Sequence, residues 1–127
     1  MKATDVIIYT DMDGTALTDW SLGPVVPERN LARIRAFVSA GGLFSVASGR
    51  QAPGILQLFP GVAFHAPLVC GNGSVIYDPA EQQVLRKTCL PADYKCACVS
   101  YFLTHPEVWI VAADETRIWQ IVSGDPA

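Results

Sequence analysis

The sequence lacks any run of basic residues. Its 127 residues include 9 lysines and arginines against 12 aspartates and glutamates, and the formal net charge is −3. Proteins that bind nucleic acid or an anionic membrane surface usually carry a basic patch. The composition therefore predicts no nucleic-acid partner and no membrane partner, although it is compatible with a small local site for an anion.

Long hydrophobic runs are missing as well. No apolar stretch reaches the roughly 20 residues that a membrane-spanning helix needs, and residues 1–5 lead straight into a short strand-like run instead of a signal-peptide core. We therefore expect a cytoplasmic protein. Half of the residues are nevertheless hydrophobic, which is typical of a globular chain, and the length suits one domain with an incomplete second one.

Cysteine is scarce. The four cysteines are Cys70, Cys89, Cys96 and Cys98. Their spacing does not match that of metal ligands, and a chain of this size in a reducing compartment has little need of disulfides. We expect them to be small buried apolar residues, with a redox or metal role as the less favoured alternative.

The hydrophobic pattern predicts alternating strands and helices in the first part of the chain. Apolar runs at 6–9, 43–47 and 67–70 are typical of strands, and the first has the pattern of a strand buried on both faces of a parallel sheet. Helical spacing at 27–40 and 52–59 falls between them. This alternation predicts an α/β fold with a Rossmann-like parallel sheet.

The pattern changes character after residue 73. Residues 74–77 and 84–87 flank a turn, as the strands of a hairpin would. Helical spacing follows from 91 to 104, and two further strand-like runs lie at 108–112 and 117–122. The tail therefore predicts the start of a second layer of structure.

Two carboxylates, Asp11 and Asp13, stand one residue apart at the predicted carboxyl end of the first strand. Open α/β sheets bind ligands at these ends. Close carboxylates repel each other, and a divalent cation such as Mg²⁺ would relieve the pair. One carboxylate can attack phosphorus while the other gives a proton to the leaving oxygen. By itself such a pair is as often part of a solvated turn, so both interpretations stay open at this point.

The surrounding residues resemble signatures of the haloacid dehalogenase superfamily. The segment from Asp11 to Thr15 follows a hydrophobic strand and is similar to the first signature, Asp-x-Asp-Gly-Thr. The triplet from Ser48 to Arg50 resembles the Thr-Gly-Arg of the Cof-like branch, which has a type IIB cap. Residues 71–78 are similar to the Asn-Gly-Ala segment and hairpin that lead into that cap. Together these segments resemble the N-terminal portion of such an enzyme.

The resemblance implies a Mg²⁺-dependent phosphatase of small phosphorylated metabolites, such as sugar phosphates, with an aspartyl-phosphate intermediate. It makes Asp11 the nucleophile and a metal ligand, and Asp13 the general acid/base whose main-chain carbonyl also binds Mg²⁺. The residues implied to bind the phosphoryl group or the substrate are Ser48, Gly49, Arg50 and Asn72. A surface or helix-capping role for Arg50, and a turn role for Asn72, stay open as alternatives.

The same resemblance sets the predicted domains. We assign residues 1–80 to a partial core of the haloacid dehalogenase type and residues 81–127 to an incomplete inserted α/β cap.

Two family signatures have no counterpart in the sequence. One is a lysine that steadies the nucleophile and the phosphate, and the other is a Gly-Asp-x-x-x-Asp-type run that supplies metal carboxylates. Lys87 and Lys95 fall in the cap-like region, and no second acid follows Gly124 and Asp125. We therefore expect little phosphatase activity from this chain alone. The alternatives are an inactive fragment that at most binds Mg²⁺ or phosphate, a half-enzyme completed by a second chain or a homo-oligomer, and a sugar-phosphate mutase similar to phosphomannomutase.

Overall fold

The computed structural model describes residues 2–17, 23–105 and 107–122. The predicted order of strands and helices is confirmed there, with boundaries that differ by about two residues or fewer. Gly124 and Asp125 lie outside the described residues. The elements are β1 Ile7–Thr10, α1 Glu28–Ser39, β2 Leu43–Val46, α2 Ala52–Leu58, β3 Leu68–Cys70, β4 Val75–Asp78, β5 Gln83–Lys87, α3 Ala92–Thr104, β6 Trp109–Ala113 and β7 Ile118–Val122.

Helix α1 is bounded by the residues that its sequence places at its ends. Pro27 precedes the first turn, where a missing amide proton costs nothing. Gly41 follows the last turn with φ +90°, and the amide of Gly42 donates to the carbonyl of Phe37 at 3.1 Å. This left-handed stop ends the helix and turns the chain directly into β2.

Three strands bring their carboxyl ends to one edge of the sheet. β1 pairs with β2 in parallel, in a register that runs from Ile7 opposite Leu43 to Thr10 opposite Val46. Beyond β2, a parallel bridge joins Ala47 to Val69 in β3, and β3, β4 and β5 continue as an antiparallel sheet. The loops after β1, β2 and β3 are therefore neighbours. The predicted α/β fold with a parallel sheet is confirmed.

The core lies under these loops. Its largest fully buried side chains include Met12, Val46, Ile55, Phe59 and Leu68. The rings of Phe44, Phe59 and Phe64 lie 5.8 to 6.0 Å apart between centroids. Burying a side chain of this size contributes roughly 1.5–3 kcal/mol. The apolar cluster thus gives the loops at the carboxyl edge a well-packed support.

The prediction that β1 is buried on both faces is wrong. Its residues Ile7, Ile8 and Tyr9 are 49, 41 and 44% exposed. β1 pairs with β2 on one side, and the described part of the chain places no strand on its other side. Apolar and β-branched residues favour an extended strand locally, whereas burial depends on neighbouring elements that the local pattern does not contain.

The prediction for the cysteines holds for Cys70 and is wrong for the other three. Cys70 is buried, whereas Cys89, Cys96 and Cys98 are exposed. Cys70 lies at the end of β3, inside the core cluster, while the other three lie in a region that has no core beneath it.

That region begins within the β4–β5 turn. Among the described residues from 81 to 120, none is buried. Large apolar side chains are exposed here, including Leu103, Trp109 and Val111. An ion pair between Lys87 Nζ and Glu115 Oε2, 2.6 Å long, connects β5 to the β6–β7 turn. None of the described helices combines the length and apolarity that crossing a membrane requires.

Candidate active site

The loop after β1 presents two carboxylates on either side of a buried anchor. Met12 is fully buried, and its carbonyl accepts a hydrogen bond from the amide of Leu17 at 2.8 Å. Asp11 and Asp13 are exposed. Gly14 has φ +81°, a conformation that glycine adopts without strain. The Asp-x-Asp-Gly pattern therefore makes a tight turn that points both carboxylates away from the core.

Thr15 contacts the predicted nucleophile. Its hydroxyl Oγ1 donates to Asp11 Oδ2 at 3.3 Å, and such a bond restricts the orientation of the carboxylate. The sequence pattern places Thr15 in a signature but gives it no role. Its position four residues after Asp11 in a tight turn is the signal that could have assigned one.

Asp13 is paired with Arg50 from the loop after β2. Arg50 Nε lies 3.1 Å from Asp13 Oδ2, and Arg50 Nη2 lies 2.7 Å from Asp13 Oδ1. The hydrogen bond to Asp13 raises the pKa of Arg50 above its ordinary value. A two-point pair of this kind is among the stronger side-chain interactions. The structure thus brings two of the predicted site residues together across 37 positions of sequence.

Ser48 lies at the end of β2, buried between two loops. Its amide donates to the carbonyl of Val69 at 2.9 Å, and its hydroxyl oxygen accepts a hydrogen bond from the amide of Arg50 at 3.2 Å. Because the hydroxyl acts as an acceptor in this bond, its own proton is still available as a donor. Ser48 is therefore suited to donate to an anion at this edge.

Gly49 and Asn72 fit against each other. Asn72 has φ +54° between two glycines that also have positive φ, a conformation that asparagine tolerates better than most residues. Its amide donates to the carbonyl of Ser48, and the amide of Gly71 donates to that of Arg50, both at 3.1 Å. A β-carbon at Gly49 would lie 3.0 Å from Asn72 Oδ1. The loops after β2 and β3 are thus joined by two hydrogen bonds and one close contact.

Gln51 is a neighbour of the site that the sequence pattern does not reveal. It is 7% exposed, and within the described residues its Oε1 is buried without a hydrogen-bond partner. A buried acceptor without a partner is unfavourable. No feature of the sequence distinguishes Gln51 from an ordinary polar residue before a helix.

The donor chemistry of the first loop suits Mg²⁺. This ion takes oxygen ligands, keeps several waters and is often held by one or two carboxylates. The Asp11 carboxylate is exposed and can bind a cation directly. Both side-chain oxygens of Asp13 are bonded to Arg50, so the group of Asp13 that can bind the cation is its main-chain carbonyl. No group of three or more histidine, cysteine or acidic side chains that could hold a metal occurs among the described residues. The residues present therefore fit a cation held by few protein ligands.

Comparison with known proteins identifies the family. A family model described as haloacid dehalogenase-like hydrolase matches residues 8–123. The chain belongs to the haloacid dehalogenase-like hydrolases. This hydrolase chain is 31% identical over 121 residues to the 5-amino-6-(5-phospho-D-ribitylamino)uracil phosphatase YbjI of Escherichia coli (strain K12). The match covers 95% of the chain and 43% of that protein.

Solved structures support the same fold for this haloacid dehalogenase-like chain. A haloacid dehalogenase-like hydrolase from Bacteroides thetaiotaomicron superimposes with a TM-score of 0.74 at 22% identity, covering 95% of the chain and 45% of that structure. A subclass IIB sugar phosphatase superimposes with a TM-score of 0.69 at 18% identity, covering 91% of the chain and 43% of that structure. The chain spans less than half of the length of each of these relatives.

Proposed function

We propose that this chain carries the nucleophile and phosphate-binding part of a Mg²⁺-dependent phosphohydrolase that acts on small phosphorylated metabolites, such as sugar phosphates. The observation that carries the proposal is the edge of the sheet where Asp11, oriented by Thr15, shares its surroundings with the linked Asp13–Arg50 pair and Ser48. The names of the relatives support it, because one is a phosphatase of a phosphorylated ribityl compound and another is a sugar phosphatase.

Each side chain at this edge has a separate role in the proposed reaction. An Asp11 carboxylate oxygen attacks the phosphorus atom, and the bond from phosphorus to the leaving oxygen breaks as Asp13 gives that oxygen a proton. Water then attacks the phosphorus of the aspartyl phosphate, Asp13 takes a proton from the water, and inorganic phosphate leaves. The Ser48 hydroxyl and the amide of Gly49 donate to the phosphoryl oxygens, whose negative charge grows in the transition state.

The Asp11 carboxylate and the Asp13 main-chain carbonyl would hold Mg²⁺, which would supply positive charge to the transferring phosphoryl group. In the same proposal, residues 1–80 form the core that carries the site, and residues 81–127 form part of a cap that selects the substrate. Asn72 faces the substrate from the loop after β3.

A slower, incomplete site is the second candidate, and one observation favours it. The sequence has three lysines, Lys2, Lys87 and Lys95. Lys87 is paired with Glu115, and Lys95 lies in α3. Among the described residues no lysine or arginine forms an ion pair with Asp11, and each lost donor of this kind lowers a rate by about 10²–10³. The chain alone then binds Mg²⁺ and phosphate but turns substrate over slowly.

The test is phosphoryl transfer to Asp11. The native chain, Asp11→Asn and the control Asp93→Asn, which changes an exposed carboxylate in α3, are incubated with an aryl phosphate with and without Mg²⁺. We expect slow Mg²⁺-dependent release of the aryl alcohol, and a phosphoryl group on residue 11 by mass spectrometry, in the native and control proteins.

Asp11→Asn should show neither the product nor the adduct. Equal turnover by Asp11→Asn would remove Asp11 from the mechanism. Rapid turnover by the native chain would instead show that a lysine or arginine paired with Asp11 is unnecessary, and would remove the second candidate.

A further inference from the structure

We propose that Thr10 is a positioning residue whose hydroxyl fixes the main chain just after the α-carbon of Asp11, and so sets the direction in which the Asp11 carboxylate leaves the turn. The inference rests on the proposed function, since it concerns how the nucleophile of that reaction is held. The signature segment begins at Asp11, so the sequence pattern gives Thr10 no role.

The direction of a side chain depends on the two peptide planes that flank its α-carbon. Each plane is rigid, and only the two dihedral angles between the planes vary. Before Asp11, the carbonyl of Thr10 accepts a hydrogen bond from the amide of Ala47 at 2.9 Å. After it, the carbonyl of Asp11 accepts a hydrogen bond from Thr10 Oγ1, also at 2.9 Å. Thr10 therefore restrains both planes, one through its carbonyl and one through its hydroxyl.

The side chain of Thr10 is itself well supported. Thr10 is half-buried at the end of β1, and it lies opposite Val46 of β2, which is fully buried. A threonine side chain is branched at its β-carbon and is stiff about its first dihedral angle. The hydroxyl thus has little conformational freedom to lose when it bonds to the Asp11 carbonyl.

A second threonine restrains the other end of Asp11. Thr15 Oγ1 donates to Asp11 Oδ2 at 3.3 Å. This contact limits the rotation of the carboxylate, whereas the Thr10 contact sets the position from which the side chain starts. Misplacing a reacting group by about 1 Å can slow a reaction about 10²-fold. Loss of the Thr10 hydroxyl should therefore slow the chemistry although the hydroxyl touches no reacting atom.

Met12 offers the competing explanation for the order of this turn. Its side chain is fully buried, and its carbonyl accepts a hydrogen bond from the amide of Leu17. These contacts fix the chain one residue after Asp11, whereas the Thr10 hydroxyl acts on the Asp11 carbonyl itself. If Met12 alone held the turn, removing the hydroxyl would have no effect, so an experiment can separate the two supports.

The test compares the whole native chain with Thr10→Val and Thr10→Ser. Valine keeps the branched shape and lacks the donor, whereas serine keeps the donor. Thr4→Val is the matched control, because Thr4 is exposed and its hydroxyl likewise bonds to the next residue, Asp5.

Three quantities are measured for each protein. The first is the rate of phosphoryl transfer from an aryl phosphate to Asp11 with Mg²⁺, as a function of substrate concentration. The second is the set of order parameters of the backbone amides of residues 12–13, from ¹⁵N relaxation. The third is the urea concentration at the midpoint of unfolding.

We expect Thr10→Val to lower kcat about tenfold with little change in KM, because the hydroxyl contacts no substrate. The order parameters of residues 12–13 should fall below about 0.85, the value of a rigid backbone, while the urea midpoint stays close to the native one. Thr10→Ser should recover most of the rate, and Thr4→Val should match the native chain in all three quantities.

Four results would overturn the inference. Native order parameters in Thr10→Val would show that Met12 holds the turn without the hydroxyl. Lower order parameters with an unchanged rate would show that the restraint does not affect the chemistry. Equal losses of rate in Thr10→Val and Thr10→Ser would show that the donor is not what matters. If even the native chain forms no adduct on Asp11, the proposed function fails and this inference fails with it, which is distinguishable because the other three failures appear only in the variants.

Discussion

Asp11 and Asp13 have the same side chain and are separated by one residue, yet the fold gives them different hydrogen-bond partners. Met12, buried between them, fixes the turn so that each carboxylate meets a different partner. Asp11 contacts a hydroxyl on its own loop, and Asp13 contacts a guanidinium from the loop after β2. The two carboxylates thus differ in their hydrogen-bond partners although their residue type is the same.

The contact between Gly49 and Asn72 gives a prediction at this scale. Gly49→Ala should lower the free energy of unfolding by about 1 kcal/mol, a typical cost of overpacking, because the three atoms closest to the new β-carbon all belong to the Asn72 side chain. In an Asn72→Gly background the same substitution should cost almost nothing. Urea unfolding of the four proteins of this cycle measures the coupling.

Asn72→Gly is chosen because glycine keeps the positive φ without strain. Equal costs of Gly49→Ala in both backgrounds would mean that the close approach of these two residues has no energetic effect.

The sequence could predict some of these residues and not others. The turn with Asp11 and Asp13 was predictable because a strand end and a short motif are local features. The pairing of Asp13 with Arg50 was not, since it depends on how far a long side chain reaches between two loops that are 37 residues apart. Catalytic or binding roles stay predictions, until they are measured, for Asp11, Asp13, Ser48, Gly49, Arg50 and Asn72.

At the scale of elements, β3 carries a thiol into the core directly behind the site. Cys70 is the last residue of β3 and has no exposed surface. Burial raises the pKa of the Cys70 thiol to about 11, from an ordinary value of 9.0. A thiol with this environment is protonated at neutral pH and is a poor nucleophile.

The stability of the fold should therefore fall at alkaline pH. Because the folded pKa lies above the unfolded one, the contribution of Cys70 is complete below about 9 and is lost as the pH rises towards about 11. Urea unfolding across this range should show the decline in the native chain, and Cys70→Ala should lack that part of it.

Cys89→Ala is the matched control, because Cys89 is exposed, and it should decline as the native chain does. A Cys70→Ala protein whose decline equals that of the native chain would contradict the prediction.

The elements themselves were largely predictable because each has a local signal. Pro27 and Gly41 mark the ends of α1, and short apolar runs mark the strands. What could not be predicted was burial. The apolar run of β1 resembles that of β2 in sequence. However, β1 is exposed along most of its length, whereas three residues of β2 are buried, because burial depends on what packs against each strand.

At the scale of the whole molecule, apolar burial is concentrated in one part of the chain. The buried hydrophobic residues that the structure describes lie between Met12 and Val75. From residue 81 to residue 120 none of the described residues is buried, although most of them belong to regular elements. Regions with few buried contacts open locally at low free energy.

Limited proteolysis should reveal this division. Thermolysin, which cuts beside apolar residues, should cleave first after residue 81, where exposed side chains such as Leu103 and Val111 are available, and should leave a resistant fragment of about residues 1–80. Mass spectrometry of the early products locates the cuts. First cuts between β2 and β4 would contradict both the uneven burial and the proposed domain boundary.

One edge of β1 pairs with no described strand, and this affects how precisely Asp11 is held. Because the carbonyls of Val6 and Thr10 accept hydrogen bonds from the β2 side, the alternate residues Ile7 and Tyr9 direct their backbone groups to the opposite edge. Asp11 is therefore supported by a ladder on one side, whereas productive chemistry requires reacting groups to be placed within about 0.5 Å. A strand that paired with that edge would hold Asp11, the predicted nucleophile, more precisely.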